Sequence, residues 1–358
     1  MQFKKAKEIL SQKLKEQGIE KIKYLRKPDR GDFINRLAYQ IATGKLKVVK
    51  KEHFGKIIPG KVIENLNSVK FLIGKGDTEA DAVIAKGSEN FYGEKILTLK
   101  DLQFPSIAID MSFFNSLKER EKKGLLNQIE LTYGIVKDYF TPINFFILDE
   151  KLLSLPALKN FFHPEIPFKV EKQIPENKKV IVLDPHGEKT LDKDEIDTDT
   201  VLIFGGIVDH GERLTGATKE IFKNAPHRKV TYKGLTTPVP DRINELTKII
   251  CDFLTLPITM DEAVIRNMTR QGKLKIVREK LQEKILKVKT EKGRERVLSL
   301  SDYFSLKEEF NLTDFHFRKG GKHVHGFKVV KDSLIDKIKS KPFIDSGELN
   351  EHTVKKYP

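Results

Sequence analysis

The chain has 358 residues, 39% of them hydrophobic and 33% charged, which is enough apolar material for a core and more chain than one ordinary domain holds. Lysine and arginine outnumber aspartate and glutamate 66 to 51, giving a formal charge of +15 and favouring a polyanionic partner. One cysteine, Cys251, excludes an intramolecular disulfide or a multi-cysteine metal site, and no apolar run approaches the roughly 20 residues of a membrane span.

The N-terminus is basic but has neither a long apolar run nor a small-residue cleavage site, so a soluble, cytoplasmic protein without a secretory signal is expected. Phe3, Leu10 and Leu14 recur among lysines with helical spacing, and β-like runs follow at Leu46–Lys50, Val69–Ile73 and Ala82–Ala85. Residues 1–100 therefore read as a small α+β domain with a basic face. They carry a net charge of +10, while 101–180 are neutral, 181–256 carry −3 and 257–358 carry +8. A lysine-rich composition of thermophilic type would spread the excess evenly. Basic ends around a neutral-to-acidic middle point instead to nucleic-acid contacts at the ends.

The middle of the chain changes character. Ile107–Asp110, Phe145–Asp149, Val180–Asp184 and Val201–Phe204 are continuous apolar runs, as strands buried on both faces require. Leu117, Leu125, Leu126, Ile129, Tyr133 and Val136 place a crossover helix within 115–140. A shorter helix is predicted over Thr215–Asn224, a strand over Arg228–Tyr232, and an amphipathic helix over Val239–Leu254 with Pro240 in its first turn. This alternation predicts an open, mainly parallel α/β sheet. Residues 260–290 read as one basic helix. Phe315–His325 is an aromatic, histidine and lysine segment suited to phosphates or bases, and the last dozen residues read as disordered.

Ligands of open α/β sheets bind beyond the carboxyl ends of the strands. Asp110, Asp149 and Asp184 end three of the runs there, and Gly205-Gly206-Ile207-Val208-Asp209-His210-Gly211 follows the fourth. Paired glycines after a buried strand allow close backbone approach to a ligand and leave Asp209 on a loop at the sheet edge. Each aspartate has a plainer role open to it, as a turn or helix cap. Lys233–Pro240, with a glycine, two threonines and two prolines, is either a ligand-facing loop or a rigid connection. The dinucleotide fingerprint, the GxxxxGK[ST] loop and the GxSxG elbow are absent. His323 and His325 lack partner ligands nearby in sequence, so no metal is expected, and Cys251 falls on the apolar side of its helix.

With Gly205–Asp209 behind a hydrophobic strand, and Gly234 followed by Val239-Pro-Asp-Arg-Ile-Asn244, the chain resembles the tRNA position-9 purine N1-methyltransferases of archaea and eukaryotes. These belong to the SPOUT class of trefoil-knotted methyltransferases. Val182-Leu-Asp-Pro185, and Gln128 placed five residues before Tyr133-Gly134, add to a likeness that spans roughly residues 105–275. One departure is Thr236-Thr-Pro238, where archaeal relatives commonly carry aliphatic residues and glycine.

The resemblance implies a SPOUT domain over 101–275; residues 1–100 match the family's tRNA-binding region in place and charge, and the basic extension over 276–358 has no counterpart in it. The resemblance also implies a knot formed by segments near 201–211, 226–234 and 234–250. S-adenosylmethionine would be held by Phe204, Gly205, Gly206, Ile207, Val208, Gly211, Gly234, Leu235, Thr236, Thr237, Val239 and Asn244. Asp209 would act as general base towards guanine, and with adenine Asp209 or Asp184 would stabilise the product's positive charge or hydrogen-bond the exocyclic amine. The partner implied is tRNA, bound by a monomer. Lys4, Lys5, Lys7, Arg26, Lys27 and Arg30, with Arg213, Arg228, Lys229 and Lys233, are the expected contacts to its backbone. A non-catalytic RNA-binding scaffold and a knotted methyltransferase acting on another nucleotide are the rival expectations.

Overall fold

Apolar runs without polar alternation make strands that can only sit between two covering layers, and here they build a seven-stranded sheet. The computed structural model describes residues 2–28, 31–86, 96–161, 169–206, 221–236, 239–341 and 343–358. By their contacts these fall into two compact units, 1–230 with 241–259, and 231–240 with 260–358.

The first unit opens with α1 (Ala6–Glu16), β1 (Lys21–Tyr24), α2 (Phe33–Ala42), β2 (Leu46–Lys50), a single turn α3 (Lys51–Phe54), β3 (Gly60–Leu66), β4 (Val69–Thr78) and β5 (Ala82–Lys86). Its five strands lie in the order β2-β5-β1-β4-β3. The larger sheet follows, from β6 (Ser106–Asp110), β7 (Phe145–Leu148), β8 (Lys169–Glu171), β9 (Lys179–Leu183), β10 (Lys189–Thr190), β11 (Thr200–Gly205) and β12 (His227–Lys229). Its order is β10-β12-β9-β11-β6-β7-β8, and every neighbouring pair is parallel. Helices α4 (Glu119–Tyr139), α5 (Leu155–Phe161) and α6 (Ile243–Thr255) complete the unit. One face buries Ala108, Phe146, Leu148, Val182, Val201 and Ile203 as a cluster. The alternate residues, among them Ile107, Ile109, Phe145, Ile181 and Leu202, are fully buried too, with Tyr133 of α4 5.9 Å from the Phe145 ring. This is the doubly covered parallel sheet that the apolar runs predict.

The N-terminal sheet is separate, yet its helices are stitched to α4. Asn35, wholly buried in α2, donates to the carbonyls of Lys137 and Phe140 at 3.0 and 2.8 Å and accepts from the Lys7 amide at 3.0 Å. Arg36 pairs with Asp138 at 3.2 Å, and the Phe3 amide donates to the Leu254 carbonyl at 3.0 Å. Because these bonds cross the boundary expected at residue 100, both sheets cluster as one unit.

The second unit contains α7 (Met260–Asn267), α8 (Arg270–Lys284), β13 (Leu286–Thr290), β14 (Gly293–Ser299), α9 (Leu300–Glu309), α10 (Asp314–His323), β15 (Phe327–Val330), α11 (Asp332–Ser340), α12 (Ser346–Glu351) and β16 (Thr353–Tyr357). Its sheet runs β13-β14-β15-β16, and its core joins Val288, Val297 and Val330 to Leu334, Ile338, Ile344 and Leu349. Helices α8 and α10 meet at Gly320, where an added Cβ would stand 2.5 Å from Val277 Cγ1.

Several expectations change here. The longer segment of the second unit starts at Met260, and Val277 and Leu281 of α8 pack on Gly320 of α10. Residues 260–290 are two helices and a strand, the second helix restarted by Thr269, whose hydroxyl accepts from the Gly272 amide at 3.1 Å. The final residues are ordered as α12 and β16, anchored by buried Leu349 and Tyr357. The amphipathic helix begins at Ile243, not Val239. The helix predicted over Thr215–Asn224 lies mostly outside the described residues, as do the crossings of the expected knot that fall on 207–220 and 237–238. Among the described residues no helix is long and apolar enough to cross a membrane.

Candidate active site

The carboxyl edge of the central sheet is where β6 and β11 end side by side, with Gly205 opposite Asp110. The chain leaves β11 at Gly206, whose amide donates to the Asp110 carbonyl at 2.8 Å. A Cβ on Gly206 would lie 2.2 Å from that oxygen, so only glycine fits. Asp110 itself is buried: Oδ1 accepts from the Ser112 amide at 3.1 Å and from its hydroxyl at 2.5 Å. Its Oδ2 is buried with no hydrogen-bond partner among the described residues. Burial, with a smaller push from the Asp149 charge, raises the Asp110 pKa above the ordinary carboxyl range against the lowering effect of Ser112. Asp149 is buried as well, accepting from the amide of Ser154 at 2.9 Å and from its hydroxyl, and so caps the next turn.

Asp184 ends β9, and both its oxygens are engaged. One accepts from the His186 amide at 2.8 Å; the other lies 3.2 Å from His227 Nδ1 on β12. Helix α6 has no side-chain cap from Arg242. Instead Gln128 of α4 accepts from the Ile243 amide at 2.8 Å, satisfying one of the helix's open donors. Asn244, one residue on, has a buried Oδ1 without a partner among the described residues. The orphaned oxygens of Asn244 and of Asp110, the latter beside the Gly206 turn, are each acceptors that an N–H or O–H donor would satisfy. The adenosine and amino groups of S-adenosylmethionine are such donors, so the residues present fit that cofactor.

Other sequence candidates are placed as follows. Phe204 is buried, Gly205 half-buried and Gly206 buried. Ile207, Val208, Asp209, Gly211, Arg213, Thr237 and Arg30 lie outside the described residues. In the second unit, Tyr232 and Leu235 exchange backbone bonds of 2.9 and 2.8 Å across Lys233 and Gly234, at φ 48° and 80°. Two left-handed residues in succession make a tight turn of the kind that favours glycine second. Thr236 accepts from the Val239 amide at 2.9 Å, and both are half-buried.

Several cations expected to face RNA have partners within the protein. Lys7 is only 14% exposed, bonded to Asp32 and Glu64 at 2.7 Å each, and these contacts raise its pKa against the opposing effect of burial. Arg228 pairs with Glu195 at 2.7 Å, and Lys233 pairs with Glu309 at 2.6 Å. Lys5 sits 4.0 Å above the Tyr139 ring. Lys4, Arg26 and Lys27 are exposed, and Lys229 is half-buried. Of the aromatic and histidine segment, His316 and Phe317 are buried inside α10, while Arg318, Lys319, Lys322, His323 and His325 are exposed.

This fold is shared with two solved structures. The crystal structure of Sulfolobus acidocaldarius Trm10 in complex with S-adenosylhomocysteine superposes with a TM-score of 0.63 at 18% identity, covering 89% of this chain and 98% of that one. A second structure of the same protein gives 0.52 at 23% identity, over 73% and 97%. Residues 85–232 match the family model for tRNA (guanine(9)-N(1))-methyltransferase TRM10/TRM10A. The tRNA (adenine(9)-N1)-methyltransferase of Sulfolobus acidocaldarius is 24% identical over 74% of this chain and 85% of its own length. The tRNA (guanine(9)-/adenine(9)-N1)-methyltransferase of Thermococcus kodakarensis is 29% identical over 48% of this chain and 50% of its own. Through this segment the chain is similar to tRNA position-9 purine N1-methyltransferases.

Proposed function

We propose that this chain, acting as a monomer, transfers the methyl group of S-adenosylmethionine to N1 of the purine at position 9 of tRNA. The observation that carries the reading is that the family-matched segment contains the Gly206 turn, which only glycine can make beside the orphaned Asp110 carboxylate. S-adenosylmethionine supplies an electrophilic methyl carbon whose bond to sulfur breaks as the purine nitrogen bonds to it. Backbone groups of Phe204 to Val208 would hold it, and Asn244 Oδ1 would accept from one of its donors. Positioning of the two reactants supplies much of the rate. Asp209 takes the proton that guanine N1 must lose, directly or through a water. Adenine N1 already has a lone pair, so there Asp209 offsets the positive charge of the product. Asp184 is a positioning residue, tying the end of β9 to His227. Lys4, Arg26, Lys27, Lys229 and the exposed Lys233 contact the tRNA backbone, while Lys7 and Arg228 serve the fold.

The test is label transfer from methyl-labelled S-adenosylmethionine to two tRNA transcripts that differ only at residue 9, one with a purine and one with uridine. Labelling of the first alone is expected. Equal labelling of both would overturn the assignment.

A further inference from the structure

The β13–β14 hairpin at the edge of the second unit's sheet carries like charges that the fold leaves unneutralised. Its register sets Lys287 opposite Arg296 and Lys289 opposite Arg294. Residues two apart share a face of a strand, so all four cations lie on one side. The other side holds Val288 and Val297, which enter the core, and Glu295, which faces Lys328 at 3.3 Å. Lys287, Lys289 and Arg294 are exposed and Arg296 is half-buried. Among the described residues none of the four forms an ion pair. Glu291, the acid of the connecting turn, accepts from the amide and hydroxyl of Ser346 at 3.0 and 2.7 Å and so faces α12.

Elsewhere in this unit cations meet acids: Lys284 with Asp302, Lys328 with Glu295, Lys337 with Glu348, Lys355 with Asp314. Directly opposed like charges, with Cβ atoms roughly 5 Å apart, destabilise an antiparallel pair. A lysine on an edge strand also deters edge-to-edge pairing, but that does not require cations facing one another in register. Along each strand the cations repeat about every 6.7 Å. A regular double row of this kind matches a polymer with regularly spaced anions better than a single carboxylate.

We propose that this face of the β13–β14 hairpin binds the phosphate backbone of the tRNA substrate. The inference rests on the reading of the chain as a tRNA methyltransferase and adds a contact surface to it.

The full chain carrying Lys289→Gln and Arg294→Gln is compared with one carrying Lys339→Gln and Lys341→Gln, an equal charge loss at exposed positions elsewhere in the unit. Removing two phosphate contacts should flatten the slope of log K against log salt by about 1.4–1.8 and weaken tRNA binding about tenfold near physiological salt. Turnover at saturating tRNA should stay unchanged, and at low salt the hairpin variant should melt no lower than its parent. The control variant should keep the parent's affinity. Equal weakening by both variants would overturn the proposal by reducing it to net charge. Unchanged tRNA binding by the hairpin variant, with methyl transfer intact, would overturn it outright. Binding of polyglutamate as tight as tRNA and lost in the same variant would also overturn it, giving the face to an acidic protein. Hairpin-dependent tRNA binding without methyl transfer by the parent would support the hairpin and sink the proposed function instead.

Discussion

Adding one methyl group to glycine should have opposite effects at two positions of the first unit. At Gly206 an alanine Cβ would stand 2.2 Å from the Asp110 carbonyl oxygen and 3.2 Å from its carbon. Relief needs a shift of about 1 Å or more. The obstacle is main chain, locked in a ladder that pairs Val201–Gly205 with Ser106–Asp110. Overpacking of this kind costs about 1–3 kcal/mol, and a rigid obstacle places it near the top of that range. At about 2–4 °C per kcal/mol for a unit of this size, Gly206→Ala should lower the melting midpoint by about 6–12 °C. Gly134, in the middle of α4, has nothing within 4 Å of its added Cβ. There the substitution should stabilise by about 0.5–1 kcal/mol through helix propensity, raising the midpoint by about 1–4 °C. Calorimetry on the full chain reads both. A Gly206→Ala protein that melts at or above its parent would refute the close packing of β11 against Asp110. A Gly134→Ala protein that melts lower would refute the open space beside α4.

Three further outcomes follow from the same contacts. Asn35→Ala strands two carbonyls and an amide in a buried interface and should cost about 2–4 kcal/mol in urea unfolding, whereas a loss under 0.5 kcal/mol would contradict the stitching of α2 to α4. Gln128→Ala should cost about 1 kcal/mol as a lost helix cap; Gln128→Glu, which keeps the acceptor, should recover most of it. Hydrogen bonds from Lys355, then Tyr303, hold the Asp314 carboxyl down to about 2. A depressed acid stabilises the fold above its ordinary value and loses that effect as pH falls towards 2. The stability gap between parent and Asp314→Asn should therefore be full at pH 7 and shrink between about pH 4 and 2; a gap that widens on acidification would contradict the assignment.

The parallel sheet was legible because Phe145–Leu148 and Val201–Phe204 have no polar alternation, and only a doubly covered strand accommodates that. Gly206 was legible as a close approach, though what it approaches, the Asp110 carbonyl, was not. Pairings between distant residues were hidden. Nothing local distinguishes Lys7, held by Glu64 from 57 residues away, from exposed Lys4. The terminal strand looked disordered because its one large buried side chain, Tyr357, meets partners at 303 and 314. The period-two cations at 287, 289, 294 and 296 were visible in the sequence, but their opposition became evident only through the hairpin register.

Mapping the methylated product decides whether the chain is a position-9 purine methyltransferase. The purified chain, S-adenosylmethionine and tRNA transcripts with adenine or guanine at position 9 would be incubated, digested with nuclease and read by mass spectrometry. One added methyl group is expected at N1 of residue 9 in at least one transcript. A methyl group at any other nucleotide, or none despite bound tRNA and cofactor, would contradict that assignment.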